Sequence, residues 1–173
     1  MASHLRTMSH ALRWVFVLWL VLFPAAVEGS IVVILASRSG VLIGADSRRT
    51  TGGVVFHDAC KIKAGARGVF VATGSYPDAL LGRLWSAGEA LADGRNRPQA
   101  NLDALIAIIS AETVAPEAVY KGTLAFVAWT PRSSTVAFAR FTTQNGRYHF
   151  ERSTREWVHE RDFVAGQLIL SNE

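Results

Sequence analysis

Between residues 31 and 151 the spacing of apolar side chains changes period twice, and this restricts the fold more than any single residue does. Ile31 to Ala36 is a β-branched apolar run, Arg38-Ser39-Gly40 has turn chemistry, and Val41 to Ala45 is a second run ending at Asp46. Two such runs around a short turn predict a hairpin with at least one buried face. Short strands are expected at Val54-Val55-Phe56, Lys61-Ile62-Lys63 and Gly68 to Ala72. After the Gly74-Ser75-Tyr76-Pro77-Asp78 turn the period lengthens to that of a helix, with Ala79, Leu80, Leu84, Ala87 and Leu91 on one face. Gly94 to Pro98 reads as a linker. Asn101 is the expected cap of a second helix carrying Leu102, Leu105, Ile106, Ile109 and Val114 and ending before Pro116. Strands resume at Thr123 to Trp129 and Thr135 to Phe141 around Pro131 to Ser134, with a further strand expected at Tyr148 to Glu151. Strands, then two helices, then strands, without βαβ alternation, predict a layered α+β domain.

The first thirty residues follow a different logic. His4, Arg6, His10 and Arg13 give a weakly positive start, Trp14 to Phe23 is an unbroken apolar run, Pro24 ends it, and small residues follow. This is the order of a secretory signal, and the run is shorter than the ~20 residues a membrane-crossing helix needs. Val27 and Gly29 satisfy the small-residue requirement for a cut between Gly29 and Ser30. The expectation is therefore a signal peptide or propeptide over 1–29 and a domain over 30–173, secreted or periplasmic. The alternative is a single-pass anchor in which residues 14–27 stay attached.

Composition narrows the chemistry. Half of the residues are hydrophobic and 18% are charged, which suits a packed core and not a disordered chain. The one cysteine, Cys60, excludes an internal disulfide. The net charge of +4 comes from arginines scattered apart from Arg48-Arg49, so nucleic acid is not an expected partner. His57 and His149 stand alone, and His159-Glu160-Arg161 lacks the second histidine of a zinc helix. With no glycine-rich phosphate loop either, no metal or cofactor is expected. Trp157 to Arg161 reads as a polar surface strand or loop.

The densest pattern lies in residues 30–78. SIVVILASRSGVLIGADSRRTTGG, followed by CKIK and VATGSYPD, resembles the proteasome β-subunit family of N-terminal nucleophile (Ntn) hydrolases. In that family a glycine precedes the nucleophile, a glycine closes the first hairpin ten residues on, and an Asp-Ser/Thr-Arg triplet begins sixteen residues on. Gly29 precedes Ser30, Gly40 is ten residues further, and Asp46-Ser47-Arg48 begins at sixteen. The resemblance implies that Ser30 is the nucleophile, that Lys61 is the family's strand lysine after a one-residue deletion, with Lys63 as the fallback, and that Asp46 and Arg48 support them. It also implies that Gly74 of Ala72-Thr73-Gly74-Ser75 donates an oxyanion-binding N–H, with Asp78 as the acidic residue that follows. The implied fold is a four-layer αββα sandwich, cut short at the C-terminus because only seven residues follow Gly166, where Phe163 to Gly166 resembles a late strand-to-glycine turn.

The physical chemistry stands beside the resemblance. A serine hydroxyl needs a base, and the α-amine of the same residue serves once the preceding peptide bond is cut. A nearby ammonium favours the neutral amine, a carboxylate holds that ammonium, and a backbone N–H stabilises the tetrahedral oxyanion. The resemblance implies threonine-type peptidase chemistry with serine in place of threonine, preceded by processing or autoprocessing at Gly29-Ser30. Its substrate would be a peptide or small amide, and the resemblance implies a possible homo-oligomer. The alternatives are an inactive binding or assembly subunit of the same fold, and a domain tethered to the membrane through residues 14–27 in which Ser30 gains no free amine.

Overall fold

A computed structural model describes residues 31–46, 49–51, 54–56, 61–159 and 166–171. Among them the chain runs β1 (Ile31–Ser37), β2 (Gly40–Ala45), β3 (Arg49–Thr51), β4 (Val54–Phe56), β5 (Ile62–Ala64), β6 (Val69–Gly74), α1 (Asp78–Asp93), α2 (Pro98–Ser110), β7 (Lys121–Trp129), β8 (Ser133–Gln144), β9 (Arg147–Val158) and β10 (Gly166–Ser171). The described residues form a mixed α+β fold with antiparallel sheets and two helices. The main sheet has the order β5-β6-β7-β8-β9, a second sheet has the order β10-β1-β2, and β3 and β4 form a separate ribbon.

Alternation along the strands sets the layers. On one face of the five-stranded sheet, Phe70, Ala72, Leu124, Phe126, Ala137, Ala139 and Phe141 pack against Leu80 and Leu84 of α1 and Leu102, Leu105, Ile106 and Ile109 of α2. On the other, Val71, Ala125, Val127 and Val136 pack against Val32, Ile34 and Leu170 of the three-stranded sheet. Each buried Val, Leu, Ile or Phe side chain among these contributes about 1.5–3 kcal/mol. The outer face of the three-stranded sheet carries Leu42 and Ile169, which are largely exposed. None of the described helices is long and apolar enough to cross a membrane, and residues 14–27 lie outside the described residues.

Several local expectations are corrected. α2 begins at Pro98, not at an Asn101 cap, because proline's fixed φ and missing N–H suit the first helical position. Asn101 instead lies buried inside α2 and donates its side-chain amide to the Leu91 carbonyl at 2.8 Å, tying the two helices. Val114 falls after α2, which ends at Ser110, and its N–H bonds the Gly146 carbonyl at 3.4 Å. β9 extends to Val158, so Trp157 belongs to a long strand, and His159 is buried beside it. Asn145 and Gly146, both at positive φ, close the β8–β9 hairpin. β10 supplies a strand beside β1 that begins at Gly166, where the resemblance implied the end of a strand-to-glycine turn, and residues 163–165 lie outside the described residues.

Two predictions follow from this packing. A Cβ at Gly88 of α1 would lie 2.2 Å from the Phe70 ring, so Gly88→Ala should lose about 1–3 kcal/mol by overpacking despite alanine's better helix propensity, as urea denaturation would show. Near α2 the Tyr148 hydroxyl is buried without a partner among the described residues. Burial, then Tyr120 and Glu112, push its pKa up to about 12, and burial and Tyr148 raise that of Tyr76 in the same direction. The folded chain thus favours the neutral phenols. The contribution of Tyr148 is complete below about pH 10 and is lost as pH rises toward 12. Tyr148→Phe should flatten this alkaline fall in the urea midpoint.

Candidate active site

The β1–β2 hairpin brings residues 31 and 46 face to face. Val32 pairs with Ala45, so the chain positions just outside that pair meet, and the Asp46 N–H donates to the Ile31 carbonyl at 3.2 Å. The Ile31 N–H in turn donates to Asp46 Oδ2 at 3.2 Å. The other carboxylate oxygen, Oδ1, receives the ammonium of Lys61. Lys61 is 7% exposed and Asp46 32% exposed, so the pair is shielded at the ammonium and open at the carboxylate.

Lys61 stands immediately before β5, and its carbonyl accepts the Ala72 N–H at 3.1 Å. Asp46 belongs to the other sheet, so this ion pair joins the two sheets. A second tie lies at the opposite end of β1, where Trp129 Nε1 of β7 donates to the Ser37 carbonyl at 2.9 Å. The two ties fix which ends overlap. The start of β1 lies over the Lys61 end of the main sheet, and the hairpin turn lies over the end of β7.

Gly74 is at that same end of β6, two residues beyond Ala72, or about 7 Å along the strand. Ser75 N–H donates to the Lys121 carbonyl at 2.9 Å, which makes Gly74 and Gly122 the alternate, non-hydrogen-bonded pair. By that alternation the Gly74 N–H turns away from β7 toward the side on which β5 and Lys61 lie. Its φ of +115° and a Cβ position only 2.3 Å from the Lys121 carbonyl oxygen allow glycine alone there.

Of the residues singled out in the sequence, the structure brings Asp46 and Lys61 into contact and sets Gly74 near them. Gly29, Ser30, Ser47, Arg48 and Cys60 lie outside the described residues, as does the side chain of Asp78. Ser30 is nevertheless bonded to the amide that Asp46 accepts. The fallback Lys63 is excluded from this site, because it lies opposite Phe70 on the helical face and pairs with Glu89 of α1 at 3.7 Å. Among the described residues no group of three His, Cys, Asp or Glu side chains is arranged to hold a metal ion.

Two polar features went unrecognised in the sequence. Thr73 is 2% exposed, and its Oγ1 has no hydrogen-bond partner among the described residues. Ser134 Oγ and His159 Nε2 lie 2.9 Å apart, a serine–histidine contact, but Ser134 is fully buried and beyond the reach of a substrate. Together with the His159 N–H to the Arg132 carbonyl at 2.8 Å, it fastens the end of β9 to β8. No signal near Ser134 marks this contact, because its partner is 25 residues away.

No protein-family model, curated protein or solved structure matches this chain.

Asp46→Asn, which takes away the charge facing a buried ammonium, should cost about 3–5 kcal/mol, and Lys61→Met less, because Asp46 retains solvent and the Ile31 N–H. The double variant should lose about 0.5–3 kcal/mol less than the sum of the two single losses, as measured by a urea double-mutant cycle.

Proposed function

We propose that the chain is an exported N-terminal nucleophile hydrolase that cleaves amide or peptide bonds through Ser30 after cleavage between Gly29 and Ser30. The observation that carries this reading is the Asp46 carboxylate, which accepts the Ile31 amide and the Lys61 ammonium together. Position 30 is covalently next to that amide, so a mature chain starting at Ser30 would present its amine and hydroxyl beside a shielded positive charge.

The roles follow from ordinary chemistry. The ammonium of Lys61 disfavours a second positive charge nearby and keeps the Ser30 α-amine neutral. That amine takes the hydroxyl proton, directly or through one water, as Oγ bonds to the substrate carbonyl carbon. The oxyanion formed is stabilised by the Gly74 N–H, a type of contact worth about 3–4 kcal/mol. The carbon–nitrogen bond then breaks, the leaving amine takes the proton, and an ester on Ser30 remains. Water hydrolyses the ester, releases the acid and restores the hydroxyl. Asp46 is a positioning residue, fixing Lys61 relative to the start of β1.

The layers support the same reading. Two helices, a five-stranded sheet and a three-stranded sheet lie in the order of three of the four layers of an αββα sandwich. The exposed Leu42 and Ile169 on the outer sheet are the apolar face that a fourth layer, or a neighbouring subunit, would cover.

An electrophilic amide-mimicking probe incubated with the mature chain should add one acyl mass at Ser30. Ser30→Ala should abolish labelling and lower amide hydrolysis by at least about a thousandfold. Undiminished hydrolysis by Ser30→Ala would overturn the reading.

A further inference from the structure

The end of the main sheet that carries Gly74 differs from the rest of its inner face. Val71, Ala125, Val127 and Val136 give that face its apolar half, against the three-stranded sheet. One register step further, Thr73 pairs with Thr123 and Thr123 with Arg140, so three polar side chains form one row across β6, β7 and β8 on the same face. Lys121, two residues before Thr123, shares that face and is a diagonal neighbour of Arg140, at ~7–8 Å between backbones. Lys121 and Arg140 are both exposed, which shows that the three-stranded sheet stops short of them.

Charge and satisfaction make this row unlike ordinary surface. Two cations face one carboxylate, Glu151, which lies opposite Arg140 on β9 without forming an ion pair with it. His149 stands one step beyond on the same strand and face. Beside them Thr73 buries a hydroxyl that has no partner among the described residues, a state that native interiors avoid unless water or a ligand supplies one. The row starts next to Lys61 and Gly74 and ends two inter-strand spacings away, about 10 Å.

We propose that this row is the substrate side of the site and selects amide substrates carrying a carboxylate about 10 Å from the bond that is cut. The selectivity for cleavage rests on the hydrolase reading above; the binding preference does not. Arg140 supplies a planar fork suited to a carboxylate, and Lys121 adds a second charge from the neighbouring strand. Thr73 and Thr123 are themselves buried, so they set the spacing between these charges and the Gly74 end of the sheet without presenting a surface to the substrate.

The test uses two acetylated, C-terminally amidated tripeptides that differ only in Glu against Gln, so the Glu side chain is the sole carboxylate. Titrated calorimetrically into the purified chain as it is recovered, at low salt, the Glu peptide should bind about tenfold tighter. Arg140→Gln or Lys121→Gln should bring it to the Gln level while leaving the Gln peptide's affinity unchanged. Both positions are exposed, and circular dichroism confirms that the variants fold. Equal binding of the two peptides by the parent chain, or a preference that survives both substitutions, would overturn the proposal. Selective binding without hydrolysis of either peptide would support the row and count against the hydrolase reading; hydrolysis of both without preference would do the reverse.

Discussion

A lysine ammonium that is almost wholly shielded from water is tolerated only where a carboxylate meets it, and in this chain the carboxylate comes from another sheet. The Asp46–Lys61 pair therefore couples chemistry to architecture. It can form only if the β1–β2 hairpin lies over the Lys61 end of the five-stranded sheet, with Trp129 and Ser37 joined at the far end. Asp46 also holds the Ile31 amide, so the same carboxylate fixes where β1 begins. Hydrophobic burial sets the layers, but it is non-directional. The ion pair selects one alignment among those that burial alone would accept.

The two faces of the main sheet show what burial does decide. Large residues such as Phe70, Phe126 and Phe141 face the helices, where α1 and α2 leave room for rings in tilted and edge contacts. Smaller and β-branched residues such as Val71, Ala125 and Val136 face the second sheet, where two flat surfaces meet closely. On the long, mostly exposed β9, polar pairs take over beyond Tyr148 and Phe150, which still pack on the helical core: Arg152 with Asp103 at 3.1 Å and Thr154 with Gln99 at 2.6 Å dock it against α2. The apolar inner face gives way to polar residues beyond Val71 and Ala125, which is where Lys61 and Gly74 are found.

The elements legible in the sequence are those whose signal is local. The β-branched runs of β1 and β2 around Arg38-Ser39-Gly40, the helical period from Leu80 to Leu91 and the β7–β8 hairpin all carry their partners within a few residues. β10 did not, because Leu168, Ile169 and Leu170 become a strand only by pairing with β1, far back in the chain. Asn101 misled for a different reason: asparagine favours caps, but here its amide is consumed by the Leu91 carbonyl of the other helix. Asn145-Gly146 is a strong hairpin signal, and it accounts for a β9 longer than the Tyr148 to Glu151 run suggested. At the site, Asp46, Lys61 and Gly74 were implied by the family resemblance, but the choice between Lys61 and Lys63 needed the register that turns Lys63 toward Glu89. Thr73 was invisible, since nothing in a linear sequence distinguishes a satisfied threonine from one that is buried without a partner.

On the proposed hydrolase reading, the charge pair of Asp46 and Lys61 stands beside a mature N-terminus. Intact mass and N-terminal sequencing of the protein recovered from an exporting host test it most directly. The expected product is a chain that begins at Ser30, with the free amine that the proposed chemistry requires. An uncut chain, or one that begins at any other residue, would leave Ser30 without its base and contradict it.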